Sequence, residues 1–447
     1  MKRLLNDFIY SMMLFGTLMC TVGCQKNEFM PAPEGEQVPH QEEATKKVGE
    51  LLAGEASASI FRKAWDKSRV KDSLSRMGAN TTYTLFVPND AAWTKIGITA
   101  AKIDAMATAD VDSLMMFYTI LGTLRKDQLR PESMPMRSML VNPELRVPFY
   151  DEPNVWGQRH DKYRYKHYLA LNAAGNLLVN GKSMGKLNHQ LATNGAVIFM
   201  ENNIEKPTKT ALQVMEADGR FTIFLEMQRQ MDDIFVETMV REMSYWYGYE
   251  VAPEEYWMYY PSVRYAYRQF WEITIASDPN YADPNITITT LFAPTDDAFK
   301  KAGLTSIDDV MALNAERNDV RFDENMFQPA GHFVMDTIVD AHRNWARFYA
   351  PQDPGYGMAR GNQTVFFSND LAAPFIHDYF VNIGGTAQIR YAYKMPFAFS
   401  TNNGTLGLHF KESGQPSAHI VESDILTLNG PIHVVDNLLL PKGFKLK

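Results

Sequence analysis

A chain of 447 residues with a net charge of −8 and only 2 cysteines has room for two or three domains but cannot build a disulfide framework. Its 45% hydrophobic and 21% charged content is that of a folded body, which excludes a disordered polyelectrolyte. No basic stripe runs along it, so the electrostatic footprint of a nucleic-acid-binding protein is missing.

The N-terminus reads as a targeting segment. Lys2 and Arg3 precede a mostly apolar run from Phe8 to Val22. As a helix that run would rise about 22 Å, short of the hydrocarbon core of about 30 Å that a spanning helix must cross. A signal-peptide apolar region suits it better. The run ends in Thr21-Val22-Gly23-Cys24, which resembles the lipobox of bacterial lipoproteins, with Thr21 where leucine is usual. That resemblance implies a signal peptide over 1–23 and lipidation at Cys24. Gln25, rather than Asp, follows the cysteine and is similar to lipoproteins sorted to the outer membrane. Cys20 and Cys24 are the only thiols, so the mature chain would carry none beyond the lipidated one. Residues 24–46 then form the lipidated cysteine and a Pro-, Glu- and Gln-rich tether.

A helical pattern, KKVGELLAGEASASIFRKAWDK, opens the next region, and TLFVPNDAAWTKIGIT (84–99) follows it. The same order recurs later as TALQVMEADGRFTIFLEMQRQ and then TLFAPTDDAFKKAGLT (290–305). Thr84 aligns with Thr290, Phe86 with Phe292, Pro88 with Pro294, Asp90 with Asp296 and Gly97 with Gly303. The Thr-Leu-Phe run predicts a short apolar strand that the proline stops. Asn89 and Thr295 suit helix N-caps, Asp90 and Asp296 complement the helix dipole, and Gly97 and Gly303 suit the helix stop. A second repeated element, NGAVIFME (194–201) and NGPIHVVD (429–436), predicts an Asn-Gly turn into a closing strand. Between the two lie MFYTILGT (116–123) and VMDTIVDA (334–341), in places that look equivalent.

These segments resemble the two hallmarks of the fasciclin (FAS1) domain, with TLFAPTDDAF and NGPIHVVDNLLLP in the second copy close to ideal. The resemblance implies an α+β fold: two FAS1-type β-wedge or sandwich domains with flanking helices, plus an aromatic-rich insertion in the second. Its bounds would be 47–207 for domain 1 and 208–447 for domain 2, with insertions at about 232–285 and 342–425. The hallmark residues in structural roles are Thr84, Phe86, Pro88, Asp90, Thr290, Phe292, Pro294, Asp296, Asn429, Gly430, His433 and Asp436. Many family members carry a Tyr-His pair in the middle segment. Here the aligned pairs are Tyr118-Thr119 and Asp336-Thr337, without the histidine, so integrin recognition is not carried over. His433 is expected to be a hydrogen-bonded strand histidine near the core.

Residues 245–271 hold twelve aromatics, including Trp246, Tyr249, Trp257, Tyr260 and Trp271. Tyr and Trp offer flat apolar faces with a polar edge and concentrate at interfaces, and sugar rings stack on such faces. These five are the candidate ligand-binding residues, in a segment expected to be mostly packed with a few rings exposed. In 148–168, His160, Asp161 and His167 could ligate a metal but lack a third firm ligand. No metal and no cofactor are expected.

Catalytic signatures such as HExxH, the P-loop, GxSxG and GxGxxG are absent. The expectation is therefore a non-enzymatic adhesin or binding subunit for a glycan or extracellular protein, held on the outer membrane by its lipid and exposed at the surface. Two alternatives stay open. One is a structural partner in an outer-membrane glycan-uptake complex. The other is a glycan-processing enzyme, which would need two facing carboxylates among residues such as Glu254, Glu255, Asp278 and Asp283.

Overall fold

In the computed structural model the described residues are 44–148, 160–253, 288–317, 319–325, 328–343, 365–371, 379–382, 390–393, 395–402, 404–411 and 413–446. The segments read as signal peptide and tether up to residue 43, Cys24 included, lie outside them, as do Trp257, Tyr260, Trp271, Glu254, Glu255, Asp278 and Asp283. Among the described residues, no helix is long and apolar enough to cross a membrane.

The first domain opens with helices α1 (Val48–Gly54), α2 (Ser59–Lys67) and α3 (Val70–Arg76). Strand β1 (Tyr83–Pro88) is buried along its whole length, as is β8 (Gly195–Met200), and the two pair in parallel. Strands covered on both faces read as continuous apolar runs, which is how TLFV and AVIF read. Around this pair an eight-stranded sheet forms in the order β6-β5-β4-β3-β2-β1-β8-β7. Its members are β2 (Thr119–Leu121), β3 (Met134–Pro148), β4 (His160–Leu171), β5 (Asn176–Val179), β6 (Lys182–Lys186) and β7 (Asn188–Ala192). Helices α4 (Asp90–Lys95), α5 (Ala100–Ala105) and α6 (Thr108–Phe117) lie between β1 and β2. Phe61, Phe86, Trp93 and Tyr118 are buried in one core, where removing a single aromatic ring costs about 3–5 kcal/mol.

The second domain repeats this plan. Helices α7 (Ala211–Asp218) and α8 (Thr222–Tyr247) precede β9 (Leu291–Pro294), followed by α9 (Asp296–Lys301), α10 (Ile307–Arg317) and, after a short β10–β11 hairpin (Arg321–Asp323 with Gln328–Ala330), α11 (Asp336–His342). Strand β17 (Gly430–Val435) pairs in parallel with β9, at the edge of a five-stranded sheet ordered β14-β15-β16-β17-β9. The strands β14 (Phe397–Asn402), β15 (Thr405–Phe410) and β16 (Ala418–Thr427) complete it. A separate hairpin, β12 (Tyr379–Asn382) with β13 (Arg390–Tyr393), stands outside that sheet.

Parts of both segments read from sequence as insertions are built into these elements. Residues 232–247 continue α8 without a break, and Met231, Phe235, Met239 and Met243 bury its inner face. Apolar spacing of four residues keeps them on one stripe. At the other end, β16 lies antiparallel to β17 as β7 does to β8, so residues 418–425 belong to the domain's own sheet.

Candidate binding surface

The hallmark residues turn out to be long-range clamps. Asn89 and Thr295 cap their own helices, accepting the N–H of Ala92 at 2.8 Å and of Ala298 at 3.2 Å. Asp90 and Asp296 reach farther. The Asp90 carboxylate accepts the N–H of Ser59 at 3.1 Å and of Ile60 at 2.8 Å, at the start of α2. Asp296 likewise accepts the Ile223 N–H at 2.8 Å and the Thr222 hydroxyl, at the start of α8. Each aspartate thus satisfies orphan donors of an upstream helix, where a carboxylate also meets the positive end of the dipole.

Thr84 and Thr290 do equivalent work inside the sheet. The Thr84 hydroxyl donates to the Gly122 carbonyl at 2.9 Å and accepts the Leu124 N–H at 2.8 Å. The Thr290 hydroxyl makes both bonds to Phe366, at 3.1 and 2.7 Å. Phe86 and Phe292 are buried, and Pro88 and Pro294 end their strands opposite Met200 and Val435. Gly430 sits at φ 111°, where an added Cβ would lie 2.5 Å from the Thr289 carbonyl oxygen. Asp436 accepts the His419 N–H at 2.7 Å and lies 3.3 Å from the Lys301 ammonium. Burial alone would raise its carboxyl, but the His419 amide, Lys301 and the His419 ring hold it below the usual range.

Three histidines are locked in the neutral form. His433 donates from Nε2 to the Phe366 carbonyl at 3.0 Å and accepts the Asp424 N–H on Nδ1 at 3.3 Å. Burial lowers its pKa, against the Asp424 carboxylate and the Phe366 bond, which favour the proton. His167 donates to the Phe117 carbonyl at 2.7 Å, and burial brings it down to about 4. The His167 ring packs against Phe86 and Phe117, the side chains of His160 and Asp161 lie outside the described ones, and no group of three metal-ligating side chains occurs among the described residues. His342 donates from Nδ1 to the Phe292 carbonyl at 2.7 Å and accepts the Leu439 N–H at 2.9 Å, with burial lowering it to about 3.

His342 also corrects the alignment of the middle segment. Asp336 stands at the first turn of α11, accepting the Phe333 N–H at 2.8 Å, whereas Tyr118 follows the last turn of α6. The end of α11 holds His342, so the second domain does place a histidine beside β9. The local likeness of YTI and DTI is therefore not a structural equivalence, since Tyr118 follows the end of α6 and Asp336 begins α11.

The exposed aromatics gather elsewhere, at the C-terminal end of α8. Tyr245 is 79% exposed, Trp246 49%, Tyr247 44% and Tyr249 52%. Tyr247 and Tyr249 stack at 5.8 Å with ring planes 14° apart, and Tyr245 meets Trp246 edge-on at 6.0 Å. Helix α8 stops at Gly248 in the left-handed region, φ 73°, which turns Tyr249 back towards the helix end. Helix α2, its counterpart in the first domain, ends after 9 residues and has no such extension.

Residues 56–205 match the fasciclin domain family. That segment is a fasciclin domain. The second half repeats the parallel strand pair, the capping aspartate and the Asn-Gly clamp of that segment. A FAS1 domain pair from the insect cell adhesion molecule fasciclin I superposes over 86% of this chain and 97% of its own, at 11% identity and a TM-score of 0.23. A likeness that loose carries no weight of its own. No curated protein matches the sequence. Fasciclin domains are generally adhesion or binding modules and typically non-enzymatic.

Proposed function

We propose that this protein carries the fasciclin domain in tandem, that it is a lipid-anchored, surface-displayed adhesin or binding subunit, and that it binds a glycan or an extracellular protein at the aromatic end of α8. The observation that supports this reading is the set of four rings, Tyr245, Trp246, Tyr247 and Tyr249, left at 44–79% exposure at the tip of a helix whose other large apolar side chains are mostly buried. Burying them against a partner removes apolar area from water, at about 25 cal/mol per Å². Stacked and edge-on rings present both apolar faces and hydroxyl edges, which suits a sugar ring as well as a protein surface. A glycan array probed with the full chain and with a Tyr245→Ala, Trp246→Ala, Tyr249→Ala variant tests it. Loss of bound glycan in a folded variant supports the site, while unchanged binding removes α8 from it.

Attachment through Cys24 is part of the same reading and is tested separately. Labelled palmitate should enter the full chain expressed in a Gram-negative host and be absent from Cys24→Ala. Protease added to intact cells should cleave the labelled protein if it faces outward.

A further inference from the structure

A cleft of about 430 Å³ lies under the linker that joins the two domains. Its walls come from the start of β6, the linker 205–209, α7 and an irregular part of β16. The irregularity is specific: the β16–β17 register shifts on both sides of Glu422, and Asp424 adopts φ 58°, rare for a residue with a side chain. Bulges and left-handed residues re-aim side chains and gather at binding sites. Here they pull the strand aside where the cleft opens.

The charges around the cleft do not cancel one by one. Glu205 is paired with Lys182 at 2.5 Å, and Glu422 with Arg220 at 2.7 Å. Asp424 is occupied by the Ser368 amide at 2.7 Å and its hydroxyl. Lys206 and Lys209 are left without a carboxylate partner among the described residues. Lys206 instead rests over the Tyr165 ring, 5.1 Å from its centroid, and burial lowers its pKa. Two lysines therefore line a polar cleft whose lining carboxylates are engaged with other partners. The carboxylates close by would repel a compact dianion, and the rim of hydroxyls and carboxylates can exchange hydrogen bonds with a polyol.

We infer that this interdomain cleft binds an acidic saccharide, with Lys206 and Lys209 taking its carboxylate or sulfate and Thr208, Ser423, Glu205 and Glu422 taking its ring hydroxyls. This site is separate from the aromatic end of α8 and shares no residue with it. Charge-assisted hydrogen bonds to the lysines supply the selectivity for an acid over a neutral sugar.

Calorimetric titration of the full chain with D-glucuronate, N-acetylglucosamine 6-sulfate, D-glucose and inorganic phosphate tests the inference. One of the acidic sugars should bind at least about tenfold more tightly than glucose, and Lys206→Gln with Lys209→Gln should weaken it by a similar factor. The Lys206→Arg, Lys209→Arg pair keeps both charges and should retain binding. The two acidic ligands distinguish a carboxylate from a sulfate source. Saturation by neither acid, glucose or phosphate binding as tightly, or an unaffected glutamine variant would each overturn it. If the glutamine variant does not fold, the arginine pair and the selectivity of the unaltered chain still decide.

Discussion

The side chain of Asn429 accepts the backbone N–H of Ala211 at 2.8 Å across 218 residues of sequence, and Asn194 accepts that of Val48 at 2.9 Å across 146. In each domain the Asn-Gly dipeptide therefore fastens the first helix to the closing strand. Asn429→Ala should lower stability by about 1–2 kcal/mol through the lost cap. Urea unfolding should show a lower midpoint at an unchanged slope, with Asn429→Asp retaining most of the stability.

The two kinds of glycine in the hallmarks should separate by substitution. Gly97 has φ 80° and nothing within 4 Å of an added Cβ, so Gly97→Ala meets only the left-handed penalty of about 1–2 kcal/mol. At Gly195 the added Cβ would fall 1.8 Å from the Tyr83 carbonyl oxygen, inside the register of β1 and β8. Gly195→Ala should cost more than about 4 kcal/mol or prevent folding, since the obstacle is backbone. Equal losses at the two positions would contradict the close-approach account.

Stability should fall as the solution is acidified below the ordinary histidine range. His167 and His342 have folded pKa values of about 4 and 3 against an ordinary 6.5, and His433 is also lowered. The unfolded chain then binds protons first as pH drops through 6.5. Each histidine contributes a loss approaching about 1.4 kcal/mol per pH unit until its folded pKa is reached. Asp370, whose carboxyl burial raises, acts in the opposite direction at the acid end. His342→Asn should flatten the stability profile between pH 6 and 4, at about these energies, while lowering the plateau above it through the lost Phe292 and Leu439 bonds.

The domain junction offers a double-mutant cycle. An alanine Cβ at Gly181 of the first domain would lie 2.5 Å from the carboxyl carbon of Asp424 in the second. Asp424 cannot swing away freely because Ser368 holds it. Asp370 ties the same junction by accepting the Ser133 N–H at 2.7 Å. Gly181→Ala should therefore cost less in the presence of Asp424→Ala than alone, with a coupling of about 0.5–3 kcal/mol. Strict additivity in thermal unfolding would show that the two side chains do not meet.

Local chemistry was legible and distant chemistry was not. Asn89 and Thr295 could be read as caps because their donors lie three residues on. The donors served by Asp90 lie 30 and 31 residues upstream, and nothing in the spacing announces them. The same holds for Asn429, which reads as a turn residue until Ala211 is seen beside it. His342 carries no such local signal, because the repeat of YTI and DTI points to Asp336 and only the fold defines the helix-end position. The aromatic cluster was visible as composition. Which rings it exposes depended on where α8 ends, and Gly248 sets that point.

The central claim is that the aromatic end of α8 is the binding surface, and the glycan array tests it most directly. The account predicts that the full chain retains a defined set of glycans and that the folded Tyr245→Ala, Trp246→Ala, Tyr249→Ala variant loses at least about tenfold in apparent affinity for them. Equal binding by the two proteins would contradict it.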